Sequence, residues 1–226
     1  MKTKNRFQWM AALAMGIAMT CVTMTSCTVE DTPVVTPPDI PGGVGQAQVK
    51  AIRELTTADI GWVIAADSKT YPTAAAATDA GTEPLAMVAS IKGSKGLAIQ
   101  LTLSEDINYD AATRYVDNLP KLNDAKWTLP GLADWQDMFA GCAVEGDAKE
   151  FTNGKMKPID GFRDKFAATG ITWVNRWFWT SDTVNNRAVI VGTNIFEFST
   201  QAQTNTEPRT YPYWTRGCLK FEVSQK

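Results

Sequence analysis

Residues 84–103 read PLAMVASI, then Lys92-Gly93-Ser94-Lys95, then GLAIQLTL, in which Leu97, Ile99, Leu101 and Leu103 alternate with smaller or polar residues. A two-residue apolar period is the mark of a half-buried strand, and two such runs about a Gly-Ser step predict an antiparallel hairpin. Before it, DIGWVIAAD (59–67) is a short apolar run ended by a turn at Asp67-Ser68-Lys69. TAAAATDAG (73–81) reads as a small helix closed by Gly81, the residue that takes a left-handed C-terminal cap most readily.

After residue 108 the period changes to that of helices. Asn108 or Asp110 caps an expected helix over 109–119, with Ala112, Tyr115, Val116 and Leu119 on one face. KWTLPGLADWQDMF (126–139) follows. Its Trp127 and Leu129 end an extended segment, Pro130 blocks helix propagation, and Gly131 is the N-cap, with Asp134 three residues on to complement the open amides. Trp135, Met138, Phe139 and Cys142 then recur at i, i+3, i+4 and i+7, one buried stripe of one helix. A further helix is predicted over 159–169, with Phe162 and Phe166 inward and Gly170 ending it. Arg176 to Ser181 is a strand whose Trp177 and Trp179 share a face. Strands are expected at 187–191, 195–199 and 217–223, separated by polar segments rich in Asn, Gln, Thr and Tyr. The pattern implies an α+β domain of short antiparallel strands and two to four helices.

The first residues do not belong to that pattern. Lys2, Lys4 and Arg6 precede an apolar stretch at 9–22, and Met24-Thr25-Ser26-Cys27 resembles a bacterial lipobox. Residues 1–27 are therefore expected to be a lipoprotein signal peptide, with Cys27 the lipidated residue. Its removal takes three of the 22 basic and none of the 24 acidic residues, leaving a net charge of −5. That balance argues against a nucleic-acid partner or an electrostatic membrane patch, so membrane contact is expected through the lipid anchor only. Residues 28–46, with four prolines and three glycines, read as an extended tether. At about 3 Å per residue it reaches up to roughly 60 Å. Residues 47–226 form the single domain, and the expected location is the outer membrane, exposed at the cell surface.

Two cysteines remain. A disulfide between Cys142 and Cys218 would contribute about 4–5 kcal/mol on the chain-entropy model. Against it, Cys142 lies on an apolar helix face, whereas Cys218 alternates with Lys220 and Glu222 rather than with Leu219, Phe221 and Val223. A disulfide and two separate buried thiols both stand as readings.

In order along the chain, W-T-L-P with a following D-W, then W-F-W-T-S, then R-G-C-L-K-F resemble the framework of C-type-lectin-like domains in bacterial surface proteins. Those include the DUF1566 and Fibrobacter succinogenes major paralogous group, with formylglycine-generating enzymes as distant relatives in fold. GWVIAADSKTY (61–71) followed by AAAATDAGT (74–82) resembles fimbrillin-like lipoproteins of Gram-negative gut bacteria. The resemblance covers about residues 58–223 and implies framework roles for Trp127, Leu129, Pro130, Trp135, Trp179, Thr180 and Ser181. Gly131 stands where the family usually has Ser or Thr. The Glu-Pro-Asn or Gln-Pro-Asp and Trp-Asn-Asp strings of calcium-dependent lectins are absent, the nearest being Glu83-Pro84-Leu85 and Glu207-Pro208-Arg209.

The chain has no histidine. That removes Ser-His-Asp and Cys-His nucleophile systems and His-ligated zinc, and no phosphate-binding Gly-rich loop is present. No cofactor or metal is expected. Asp134, Asp137, Glu145 and Asp147 are the carboxylates a hydrolase would draw on, but a solvated helix face and loop explain them more simply. The chain is therefore expected not to be an enzyme. In the resembled family the loops between the late strands are displayed, which implies a ligand-binding face formed here by Asn185, Arg187, Asn194, Gln203, Asn205, Glu207, Arg209, Tyr211 and Tyr213. The expected function is a surface-tethered binding or adhesion module for a glycan or protein. The alternative is a structural or accessory subunit of a surface appendage. Asp182-Thr183-Val184 also resembles a short O-glycosylation acceptor of some gut anaerobes.

Overall fold

The computed structural model describes residues 48–147, 157–193 and 201–224, with side chains for all of these except Lys157 and residues 201–204. The expected signal peptide with Cys27, the tether, the strand at 195–199 and Asn194 lie outside the described residues.

In chain order the strands are β1 (Lys50–Ala51), β2 (Val63–Ala65), β3 (Lys69–Tyr71), β4 (Pro84–Lys92), β5 (Lys95–Gln100), β6 (Ala125–Thr128), β7 (Lys157–Pro158), β8 (Trp177–Val184), β9 (Arg187–Thr193), β10 (Gln201–Pro208) and β11 (Cys218–Glu222). The helices are α1 (Ala74–Asp79), α2 (Tyr109–Asp117), α3 (Leu132–Cys142) and α4 (Asp160–Ala168). The fold is α+β, with a seven-stranded antiparallel sheet ordered β1-β3-β2-β4-β5-β11-β6 and a four-stranded one ordered β7-β10-β9-β8.

Local chemistry accounts for most boundaries. Gly93 takes φ 58° in the two-residue turn that pairs Lys92 with Lys95, closing the β4–β5 hairpin. The Asn108 side chain accepts the Ala111 N–H at 2.9 Å to start α2, and Gly81 and Gly170 end α1 and α4 with positive φ. At β8–β9, Asn185 and Asn186 both take positive φ, 50° and 61°, which is the backbone of a type I′ hairpin turn.

Much of the large sheet is covered on both faces, and residue parity decides which face each side chain joins. Met87, Ala89, Ile99 and Cys218 pack with Trp135, Met138, Phe139 and Cys142 of α3 and Phe162 and Phe166 of α4. Their neighbours Ala86, Val88, Ala98, Leu219 and Phe221 join the other layer, with Ala112 and Val116 of α2. The tryptophans of 126–139 are thus not one platform: Trp127 belongs to the α2 layer and Trp135 to the α3 layer. Trp179 and Trp177 pack in the α2 layer, whereas Phe178 between them enters the α3 layer.

Close approach is built into α3. A Cβ on Gly141 would lie 2.3 Å from the Ala89 carbonyl oxygen, so glycine is what lets the helix backbone meet β4. The thiol of the next residue, Cys142, donates to that carbonyl at 3.3 Å. Cys142 and Cys218 share the α3 layer but stand as separate buried thiols, so the disulfide reading is corrected here. Burial pushes the Cys142 thiol up to about 12 and the Cys218 thiol higher still.

Arg216, just before β11, is fully buried. Its Nη1 donates to the carbonyls of Gln100 (2.6 Å), Leu101 (2.6 Å) and Thr102 (3.2 Å). Its guanidinium carbon lies 4.6 Å from the Trp173 ring centroid and 5.0 Å from that of Phe166. Burial lowers its pKa to about 9, which leaves it protonated at neutral pH. Three carbonyl dipoles and the ring faces take the place of a counter-ion.

Candidate functional surfaces

The framework strings of the sequence meet at the N-terminus of α3. A register shift between Trp179 and Thr183 lifts part of β8 out of the ladder with β9. The lifted residues turn to α3 instead. The Ser181 N–H donates to the Pro130 carbonyl at 2.9 Å, and the Asp182 carboxylate accepts the Leu132 N–H. The Asp134 carboxylate takes the Gly131 N–H at 2.8 Å. A side chain on Gly131 would place its Cβ 3.1 Å from Asp182 Oδ2. Glycine therefore stands at this N-cap because the capping oxygen arrives from another strand.

Beyond that junction lies the end of the small sheet. Val184 pairs with Arg187 across β8–β9, and Arg187 with Pro208 across β9–β10, so the Asn185-Asn186 turn and the chain after Pro208 form one continuous edge. Val184 and Tyr211 are each 51% exposed there, two of the few large apolar side chains so open. Arg187 donates to the Thr206 carbonyl at 3.0 Å and lies 3.6 Å from the Glu207 carboxylate. Arg209 pairs with Asp110 and lies 4.5 Å from the Tyr109 ring centroid. The Tyr109 hydroxyl donates to the Ser181 carbonyl at 3.1 Å. Burial pushes the Tyr109 phenol up, with Arg209 opposing.

Of the expected ligand-binding residues, Asn185, Arg187, Glu207, Arg209 and Tyr211 meet at this edge, with Asn205 a little further along β10. Two corrections apply. Residues 201–208 are a strand rather than a loop, so Gln203, Asn205 and Glu207 sit in a sheet, Gln203 opposite Gly192 and well back from the edge. Tyr213 is half-buried, its ring edge-on to Trp179 at 4.9 Å and its backbone bonded to Ile107, which makes it a support. Asn185, at φ 50°, also serves the turn, whose backbone favours Asn. The sequence reading missed Val184 from β8 and Tyr109 and Asp110 from α2. No local pattern marks them, because only the tertiary fold brings α2 to the end of β10.

A second concavity runs beside α3 on the open part of the large sheet. It encloses about 720 Å³ over β4, β5, β11 and β6. Its lining includes four lysines (Lys92, Lys95, Lys126 and Lys220) and, from α3, Asp134 and Asp137. Of the carboxylates considered for hydrolysis, Asp134 binds the Gly131 N–H and Lys220 (2.8 Å), and Asp137 pairs with Lys92. Asp147 accepts the Asp160 and Gly161 N–H groups, both at 2.8 Å, at the start of α4. Each of these three thus has a structural partner. Among the described residues no cluster of three or more His, Cys, Asp or Glu side chains is placed to hold a metal ion, and no helix is long and apolar enough to cross a membrane.

No family model matches this chain, and no curated protein or solved structure matches it.

Proposed function

We propose that this chain is a C-type-lectin-like binding module, lipid-anchored through Cys27 and held off the outer membrane by the segment 28–46, which recognises a glycan or protein through the end of its small sheet. The observation that carries the reading is the edge from Val184 to Tyr211. There two open apolar side chains lie beside Arg187 and Arg209 on a turn and strand ends fixed by buried Trp179 and half-buried Tyr213. Rigid backbone carrying exposed aromatic, guanidinium and amide groups is the composition of binding surfaces in general. The order of W-T-L-P, W-F-W-T-S and R-G-C-L-K-F supports the fold assignment, and their meeting at α3 gives those strings a shared framework role.

Glycan and protein arrays probed with the full chain, wild type against Arg187→Ala/Arg209→Ala/Tyr211→Ala, test the reading. A ligand bound by the wild type and lost by the triple variant is expected. Binding that survives the triple substitution removes the site from this edge.

A further inference from the structure

The groove beside α3 carries charge that the fold does not use. The strand register sets Lys92 directly opposite Lys95 and Lys126 directly opposite Lys220. Like charges in opposed cross-strand positions destabilise a sheet. Helix α3 answers one lysine of each pair: Asp137 takes Lys92, and Asp134 takes Lys220 at 2.8 Å. Lys95 and Lys126 have no ion-pair partner among the described residues, nor does Glu222, the register partner of Lys95. Asp124, also in the lining, is held by Arg53 at 2.5 Å. The floor between the lysines is Leu97 and Gly96, the latter under the Phe221 ring.

We propose that this groove binds an acidic oligosaccharide, a short run of uronic-acid rings. The carboxylates of the saccharide meet Lys95 and Lys126, and its hydroxyls donate to Asp134, Asp137 and Glu222. A polyanion that carries no hydrogen-bond donors is repelled by the three protein carboxylates. A neutral saccharide leaves both ammonium groups unmatched. A uronate chain supplies anions and donors along one backbone, which is the alternation the lining presents. An acidic peptide fits less well, because the groove floor offers Leu97 but no row of apolar pockets to read alternate side chains.

Spacing agrees. Lys95 and Lys126 lie on strands either side of β11 and are offset by two residues along it, so their Cα atoms are about 12 Å apart. Attachment points so far apart suit a chain of several rings better than a single ring. A cavity of about 720 Å³ lies within the range of small-ligand sites. The site is independent of the edge from Val184 to Tyr211 and shares no residue with it.

The test is calorimetric titration of the full chain with a galacturonic-acid tetramer, its methyl ester, and a tetraglutamate peptide. The expected result is saturable binding of the free-acid tetramer, at least tenfold tighter than the ester or the peptide and weakened by salt. Lys95→Ala/Lys126→Ala weakens it at least tenfold, while Lys95→Arg/Lys126→Arg retains it and Arg209→Ala leaves it unchanged. The inference is overturned by absence of binding to the acid at millimolar concentration, by equal binding of the ester, by tighter binding of the peptide, or by full retention in the double alanine variant. Loss of binding in Arg209→Ala alone would relocate the saccharide to the sheet edge, and so would also overturn it.

Discussion

Cys218 and Lys220 stand two residues apart on β11 and point to the same face of the large sheet, yet one is fully buried and the other is solvent-exposed. The strand does not change between them; the cover does. α3 and α4 lie over the Cys218 end with Trp135, Phe139, Phe162 and Phe166, whereas the Lys220 end meets only the acidic flank of α3. Where a layer covers the sheet, the side chains beneath it are apolar and the stability is local to them. Where cover ends, the same face turns to lysine and carboxylate and becomes available for binding. The small sheet repeats this division: Phe178 and Trp179 are buried, and five residues on, Val184 is half-exposed.

Substitutions at four positions sharpen that division. Trp135→Ala, at the centre of the covered region, should cost about 3–5 kcal/mol in chemical denaturation. Trp135→Phe should cost distinctly less, because the indole N–H is buried with no hydrogen-bond partner to lose. A Phe variant as damaging as Ala would contradict the packing described. Gly141→Ala follows, at about 1–3 kcal/mol, since its Cβ must push α3 off the Ala89 carbonyl; an unchanged denaturation midpoint would mean that the helix does not lie so close.

Third comes a pH effect at Cys142. Its folded pKa, about 12, lies above the ordinary value of 9.0. The folded state therefore keeps a proton that the unfolded state releases, and stability falls as pH rises through about 9. Relative to Cys142→Ala, the wild type should lose about 1.4 kcal/mol per pH unit above that point. Parallel stability curves for the two proteins would refute it. The same burial predicts that neither thiol reacts with a maleimide until the protein unfolds. Smallest is Tyr211→Ala at the open edge, expected within about 0.5 kcal/mol of wild type.

The sequence disclosed the covered region better than the open one, for a physical reason. Buried elements must satisfy a period: Leu97 and Ile99 alternate, and Trp135, Met138, Phe139 and Cys142 recur every three or four residues, so β5 and α3 were legible. β10 was not. Gln201 to Pro208 has no apolar alternation, and it is held as a strand by main-chain pairing to β9. The site suffered more, because an exposed surface imposes no period on its residues. Arg187, Arg209 and Tyr211 could be read as exposed polar positions, but Tyr109 and Asp110 reach the same edge only through the packing of α2. The cysteine question shows the limit within the core. Parity placed Cys218 with Lys220, correctly, yet gave no sign that the cover over that face ends between the two.

The central claim is that covered framework and open binding edge are separable, and one paired measurement tests it. Binding to an array-identified ligand and the thermal midpoint should be recorded on the same preparation of Arg187→Ala/Arg209→Ala/Tyr211→Ala. The account predicts binding at least tenfold weaker with a midpoint within about 4 °C of wild type, the shift expected for roughly 1 kcal/mol in a domain of this size. Retained binding, or a midpoint that collapses together with it, would contradict the account.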